Sequence, residues 1–191
     1  MYSFVYSKKY ITMKYVTCIT MILFFTTGLV HAQLTDSMLK STKIKFKEIR
    51  KNLTTYDTVR VDESTDGGEG IAYYDKGELK LIQMIWFGET GKTQMEYYFD
   101  AGKLFFVFEQ VFSYNRPIYW DKKTAKENND DEFFDLSKST IKENRYYFNN
   151  DKLGLWLDND KAKVDLSLEE NSNVGKDLII DAYQIKDKLK K

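Results

Sequence analysis

Three copies of one short pattern constrain this chain more than anything else in it. Tyr73-Tyr74-Asp75-Lys76-Gly77-Glu78-Leu79, Tyr98-Phe99-Asp100-Ala101-Gly102-Lys103-Leu104 and Tyr147-Phe148-Asn149-Asn150-Asp151-Lys152-Leu153 place two aromatics, an Asp or Asn, a turn and a leucine in the same order. Asp and Asn open turns because their short side chains bond the backbone ahead, and Gly supplies the positive φ that a tight turn needs. Aromatic and β-branched flanks suit a pleated, half-buried surface. The central copy, within Met95 to Glu109, therefore reads as two strands joined at Asp100-Ala101-Gly102 by a three-residue loop with a bulge. The third copy carries Asp151 where the others carry Gly, a residue that tolerates the left-handed conformation less well but still turns. A unit recurring at this period predicts a hairpin array or meander.

The flanking sequence extends the pattern. Strands are predicted over Thr58–Asp62, Ile71–Tyr74, Leu79–Phe87, Thr93–Phe99, Lys103–Phe112 and, as the third hairpin, Lys142–Leu157. Connections this short make neighbouring strands antiparallel. Leu79–Phe87 and Lys103–Phe112 are apolar on both sides, Leu81, Ile85 and Phe87 against Ile82, Met84 and Trp86, and Phe106 and Phe108 against Phe105 and Val107. Such strands belong at the centre of a sheet covered on both faces, by helices on one and by its own curvature on the other. Two segments have helical spacing: Leu34–Thr55, with Met38, Thr42, Phe46, Ile49 and Leu53 in a stripe capped by Thr35 or Asp36, and Val174–Lys191, with Leu178, Ala182, Ile185 and Leu189. Between the hairpins, Ile118-Tyr119-Trp120 reads as a short edge strand, Asp121–Asp131 as a solvated loop or irregular helix, and Asp158–Asn173 as a loop with an edge strand around Val164, Leu166 and Leu168. The fold class is α+β: a curved antiparallel meander of six to eight strands with a helix at each end.

Residues 1–32 are of another kind. Lys8, Lys9 and Lys14 precede an apolar run from Tyr15 to Val30, and Val30-His31-Ala32 supplies the small residue that a signal peptidase needs. The run is shorter than the roughly 20 residues that cross a bilayer, and Cys18 stands at its start, the wrong end for a lipoprotein box. We therefore expect a signal peptide over 1–32 and one exported domain over 33–191, periplasmic or extracellular, with no stable membrane insertion after cleavage. The only Cys and the only His, Cys18 and His31, leave with that leader. Lys and Arg balance Asp and Glu at 29 each, so losing three lysines leaves the mature chain mildly acidic. Nothing in that balance calls for nucleic acid as a partner.

Loss of imidazole and thiol removes triads and His-based zinc sites from consideration. Gly88-Glu89-Thr90-Gly91-Lys92-Thr93 imitates a phosphate loop, but Trp86 occupies the place of its first Gly and a strand follows where a helix is needed. Asp62-Glu63-Ser64-Thr65-Asp66-Gly67 and the stretch from Asp158 imitate calcium loops, but the first ends on Tyr73 instead of Glu and the second has Lys163 in place of Gly. No metal, cofactor or catalytic residue is assigned. Carboxylate-pair chemistry, as in glycan hydrolysis, stays open with Glu69, Glu96 and Glu109 as its candidates.

Aromatic side chains remain. Trp86, Trp120, Trp156, Tyr98 and Tyr147 lie on or beside strands, where an exposed ring stacks on a sugar or anchors a protein and a buried one fills a core. The Tyr-Tyr-Phe-Asp-Ala-Gly-Lys-Leu unit at Tyr97–Leu104 resembles the variant MORN repeats of bacterial secreted proteins, hairpin repeats whose members generally bind or scaffold, and the whole sequence resembles small exported proteins of Gram-negative bacteria. The resemblance covers the three hairpins and implies a non-enzymatic binding or interaction domain whose partner is a protein or cell-envelope component. A carboxylate-based glycan hydrolase and a structural component of a surface assembly are the alternatives. Mass spectrometry of the naturally exported protein is expected to find an N-terminus near Gln33 and no thiol; a product still carrying Cys18 would overturn the leader assignment.

Overall fold

Each hairpin turns on two residues, not three. The computed structural model describes residues 36–63 and 68–189, so the expected leader, Thr35 and residues 64–67 lie outside the described residues, while Gly68–Gly70, ahead of the expected strand Ile71–Tyr74, already pair as strand. Asp75 pairs with Glu78, Asp100 with Lys103 and Asn149 with Lys152, leaving Lys76-Gly77, Ala101-Gly102 and Asn150-Asp151 as loops. All six loop residues have positive φ, from 47° to 83°. This is the two-residue turn whose twist matches that of the flanking strands. The bulge expected in the central loop lies farther in, and it recurs. Register slips between Tyr73 and Tyr74, between Tyr98 and Phe99, and between Tyr147 and Phe148, leaving Lys80, Phe105 and Gly154 as the extra residues opposite.

Seven antiparallel strands follow one another in chain order: β1 (Asp57–Glu63), β2 (Gly68–Asp75), β3 (Glu78–Phe87), β4 (Gly91–Asp100), β5 (Lys103–Ser113), β6 (Thr140–Asn149) and β7 (Lys152–Leu157). The meander is thus as the sequence predicts, in an open sheet with a helix at either end of the chain. Helix α1 spans 36–52 and runs on into a 3-10 turn, Leu53–Thr55. Helix α3 spans Glu169–Lys188. The chain divides into two compact units at Lys40/Ser41; of the first only 36–40 is described, all helical, and the packing below concerns the second.

The two helices take opposite faces of the sheet. Leu178, Ala182 and Ile185 of α3 join Ile82, Tyr97, Phe99, Leu104, Val107 and Phe148 in one core. Gly175 lets the helix approach closely, since a Cβ there would stand 2.6 Å from the Leu153 Cβ. On the other face Phe46 of α1 lies over Tyr98 and Phe106, with ring centroids 5.2 and 6.0 Å apart, and Thr42 and Ile49 are buried. A helix therefore covers the face that sheet curvature alone was expected to close. Phe105 also differs from strict alternation. As the bulged residue it sits beside Tyr98, 6.2 Å between rings, and under Lys45, on the α1 side and away from Val107.

Of the remaining segments, two differ from expectation and one takes the helical of its two expected forms. Ile118-Tyr119-Trp120 is a turn closed by Trp120 N–H donating to Pro117 O, not a strand. Lys122–Glu127 forms a short helix α2, capped by Asp121 accepting from Thr124 N. Around Val164 there is a single bridge, Leu157 to Lys163, in place of an edge strand. Helix α3 begins at Glu169, five residues before the expected start at Val174, because Glu169 and Glu170 suit the positive end of a helix dipole. Phe99→Ala removes a fully buried ring from beneath Tyr183 and is expected to lower unfolding free energy by about 3–5 kcal/mol. Ile180→Ala, at an exposed position, is expected to change it by less than about 0.5 kcal/mol in urea titrations.

Candidate functional site

Register sorts the α1 face into rows across the strands. Under the helix run Tyr73, Leu81, Tyr98, Phe106 and Tyr147. The next row is Arg60, Ile71, Gln83, Glu96, Phe108 and Arg145. After it come Glu69, Ile85, Gln94, Gln110 and Glu143, and last Phe87, Lys92, Phe112 and Ile141. The first row, aromatic but for Leu81, is buried apart from the half-buried Tyr73. The second and third mix amides and charges with apolar residues, and the last leaves Phe87 and Ile141 exposed.

Helix and open sheet meet at Glu96. Its carboxylate accepts from Arg50 Nη2 at 2.5 Å, from Tyr98 OH at 2.6 Å and from Gln83 Nε2 at 2.9 Å. Tyr73 OH donates in turn to Gln83 Oε1 at 2.7 Å. Three elements are tied at this point: α1 through Arg50, β3 through Gln83 and β4 through Glu96 and Tyr98. Burial, and after it the charge of Glu96, raises the Tyr98 phenol pKa well above its ordinary range.

Beside this network opens a groove of about 460 Å³, lined by Thr58, Arg60, Ile71, Gln83, Ile85 and Gln94 among others. Its floor alternates apolar and amide side chains. The Gln94 carboxamide has no hydrogen-bond partner among the described residues, so a donor and an acceptor lie side by side, available to a ligand. Arg60 and Glu69, 3.4 Å apart, pair at the β1–β2 rim. Among the described residues no three or more His, Cys, Asp or Glu side chains gather to hold a metal.

The opposite face has its own carboxylate. Glu109 Oε2 accepts from Tyr146 OH and Asn144 Nδ2, each at 2.8 Å, and Trp156 Nε1 donates to Asn144 Oδ1 at 3.0 Å. Glu96 faces α1, and Glu109 pairs with Met95 in the row on the α3 side. These two acids point to opposite sides of the sheet and cannot together flank one glycosidic bond. Glu69 is exposed on the α1 side, in its pair with Arg60.

The five aromatic candidates are not brought together. Tyr98 and Tyr147 are buried beneath α1, the latter 5.0 Å from Phe106. Trp86 and Trp156 are half-buried on the α3 side, Trp156 stacked 5.1 Å from Tyr146. Trp120 lies in the β5–β6 connection and donates to Asp130, which Arg116 grips with two nitrogens. The groove instead uses residues that aromatic counting passes over: Arg60, Ile71, Gln83, Ile85 and Gln94. Their signal in the sequence is weak but present, since Gln83 is the one polar residue within the apolar run Leu81–Phe87.

No family model, curated protein or solved structure matches the chain. Tyr98→Phe removes one of the three donors to Glu96 and is expected to cost about 1–2 kcal/mol at pH 7. Tyr98 and Tyr146 hold their protons more tightly folded than unfolded. Their contribution is thus complete below the unfolded phenol pKa of about 10 and is lost as pH rises beyond it. Urea midpoints should fall from pH 9 to pH 11, less steeply in Tyr98→Phe than in wild type; an equal slope would remove Tyr98 from that linkage.

Proposed function

We propose that the protein is an exported, non-catalytic binding module that takes a protein or cell-envelope component in the groove beside Glu96. One observation carries this reading: α1 covers only the turn end of its face, and the sheet beyond it forms a concave floor of Ile71, Ile85, Gln83 and Gln94. Clefts of a few hundred Å³ with apolar walls and a few convergent polar groups are what small ligands and side chains of partners occupy. The hairpins' resemblance to variant MORN repeats points the same way, toward binding. The expected leader over 1–32 supports export, and with it a role outside the cytoplasm. Nucleic acid does not suit a mildly acidic chain, and among the described residues no helix is long and apolar enough to cross a membrane.

Solubilised envelope fractions and a panel of peptidoglycan fragments, presented to the immobilised mature chain, test the assignment. Ile85→Glu places a charge in the groove floor and should weaken retention of a captured component by at least about tenfold, or about 1.4 kcal/mol. Ile180→Glu, on the outer side of α3, should leave retention unchanged. Equal retention by the two variants would overturn the groove as the site.

A further inference from the structure

Two amides and two isoleucines form parallel diagonals on the groove floor. Ile71 stands across from Gln83 in one row, and Ile85 across from Gln94 in the next, on β2, β3 and β4. Gln83 and Gln94 are thus diagonal neighbours on adjacent strands, and Ile71 and Ile85 are diagonal neighbours beside them. Such neighbours stand about 7–8 Å apart. The charged groups that line the groove are already matched: Arg60 pairs with Glu69, and Arg50 holds Glu96. What the floor still offers is neutral hydrogen bonding. Gln83 Oε1 accepts from Tyr73 OH and Gln83 Nε2 donates to Glu96 Oε1. An amide nitrogen carries two hydrogens, so one N–H of Gln83 is left over. The whole Gln94 carboxamide is unbonded among the described residues.

We infer that the groove binds the acetamido group of an N-acetylated amino sugar. This rests on the reading of the groove as the binding site and names its ligand class. A trans secondary amide presents its C=O and its N–H on opposite sides. With a hydrogen bond of about 2.9 Å at each end, it bridges partners roughly 8 Å apart. That is the spacing of the Gln83–Gln94 diagonal. The ligand carbonyl accepts from Gln83 Nε2, and the ligand N–H donates to Gln94 Oε1. Its methyl group falls on the isoleucine diagonal, where Ile71, 42 % exposed, loses surface to water. At the rim the Thr58 hydroxyl and the Arg60–Glu69 pair meet sugar hydroxyls. A volume of about 460 Å³ lies in the range that holds a ligand of this size. A peptide bond has the same N–H and C=O, but it carries chain on both flanks where the acetamido group ends in a methyl. An anionic ligand would meet no unpaired cation among the described lining residues.

N,N′-Diacetylchitobiose and cellobiose share rings and linkage and differ at the acetamido groups. In NMR titrations of the isotope-labelled mature chain, diacetylchitobiose at millimolar concentration should shift the side-chain amide signals of Gln83 and Gln94. Cellobiose should leave them in place. Gln94→Leu removes the polar atoms and should weaken diacetylchitobiose by at least about threefold, with an unfolding midpoint like that of the wild type. The tripeptide Ac-Ala-Ala-Ala-NH2 should bind more weakly than the disaccharide. Four results would overturn the inference: no shift with diacetylchitobiose, equal shifts with cellobiose, equal or tighter binding of the tripeptide, or undiminished affinity in Gln94→Leu. Should Gln94→Leu fail to fold, the two sugars on the wild type decide alone. If acetamido binding fails while Ile85→Glu still releases an envelope component, the groove stands and its ligand is of another class. If Ile85→Glu releases nothing, the groove reading itself falls.

Discussion

A one-residue bulge beside each hairpin turn sets the rest of this structure. Two consecutive aromatics, Tyr98 and Phe99, face opposite sides of β4, as alternation requires. Across from them Leu104 and Phe106 are two apart, and in a regular strand they would share a face. Phe105 is the extra residue, so Leu104 falls opposite Phe99 and Phe106 opposite Tyr98. The other two hairpins repeat this, with Leu79 and Leu81 around Lys80 and Leu153 and Leu155 around Gly154. Each turn therefore presents a large apolar pair to both faces at once. A sheet whose turn end is apolar on both sides cannot leave either in water. The terminal helices meet that demand, α3 over Phe99 and Leu104, α1 over Tyr98 and Phe106.

Cover stops where this apolar pairing stops. One row beyond Tyr98 the α1 face becomes Ile71, Gln83, Glu96 and Arg145, side chains that a helix could bury only by satisfying each polar group. Arg50 does so for Glu96, and with Gln83 and Tyr98 it closes a network at the boundary. Past that line no described segment covers the sheet. The groove is thus a consequence of how far the apolar repeat extends along each strand. A helix reaching farther would have to desolvate Gln94 and the Glu143–Arg145 pair, at a cost that packing against Ile71 and Ile85 alone would not clearly offset.

The meander, most of its strand bounds and both helices were legible because alternation and helical spacing are local signals, though β2 begins three residues before the expected Ile71, at Gly68. The bulges were not legible. Counting by twos assigns Phe105 to the same side as Val107, and only pairing with β4 shows that the count slips. Polarity misled at 169–173, where Glu169 and Glu170 resemble a loop yet open a helix, and apolarity misled at Ile118, where Pro117 and its turn override strand preference. The candidate site was harder still. Residue type identifies Trp and Tyr as capable of stacking on a ligand, but exposure decides whether they do, and exposure belongs to the tertiary structure. Tyr98 is the plainest case: a ring chosen for stacking is wholly buried, and its hydroxyl serves Glu96.

Parity on the strands also limits the chemistry the sheet can perform. Glu96 and Glu109 come from neighbouring strands and look close in a topology diagram. Glu96 pairs with Phe108 and Glu109 with Met95, so the two acids differ by one step along the ladder and stand on opposite faces. Each is occupied by donors from its own side, Glu96 by Arg50, Gln83 and Tyr98, Glu109 by Tyr146 and Asn144. The two most enclosed carboxylate networks thus join elements within separate layers, one fixing α1 to the sheet and one fixing β5 to β6. Among the described residues what remains open is accordingly one end of the α1 face, where Ile71, Gln83, Ile85 and Gln94 lie together on β2 to β4.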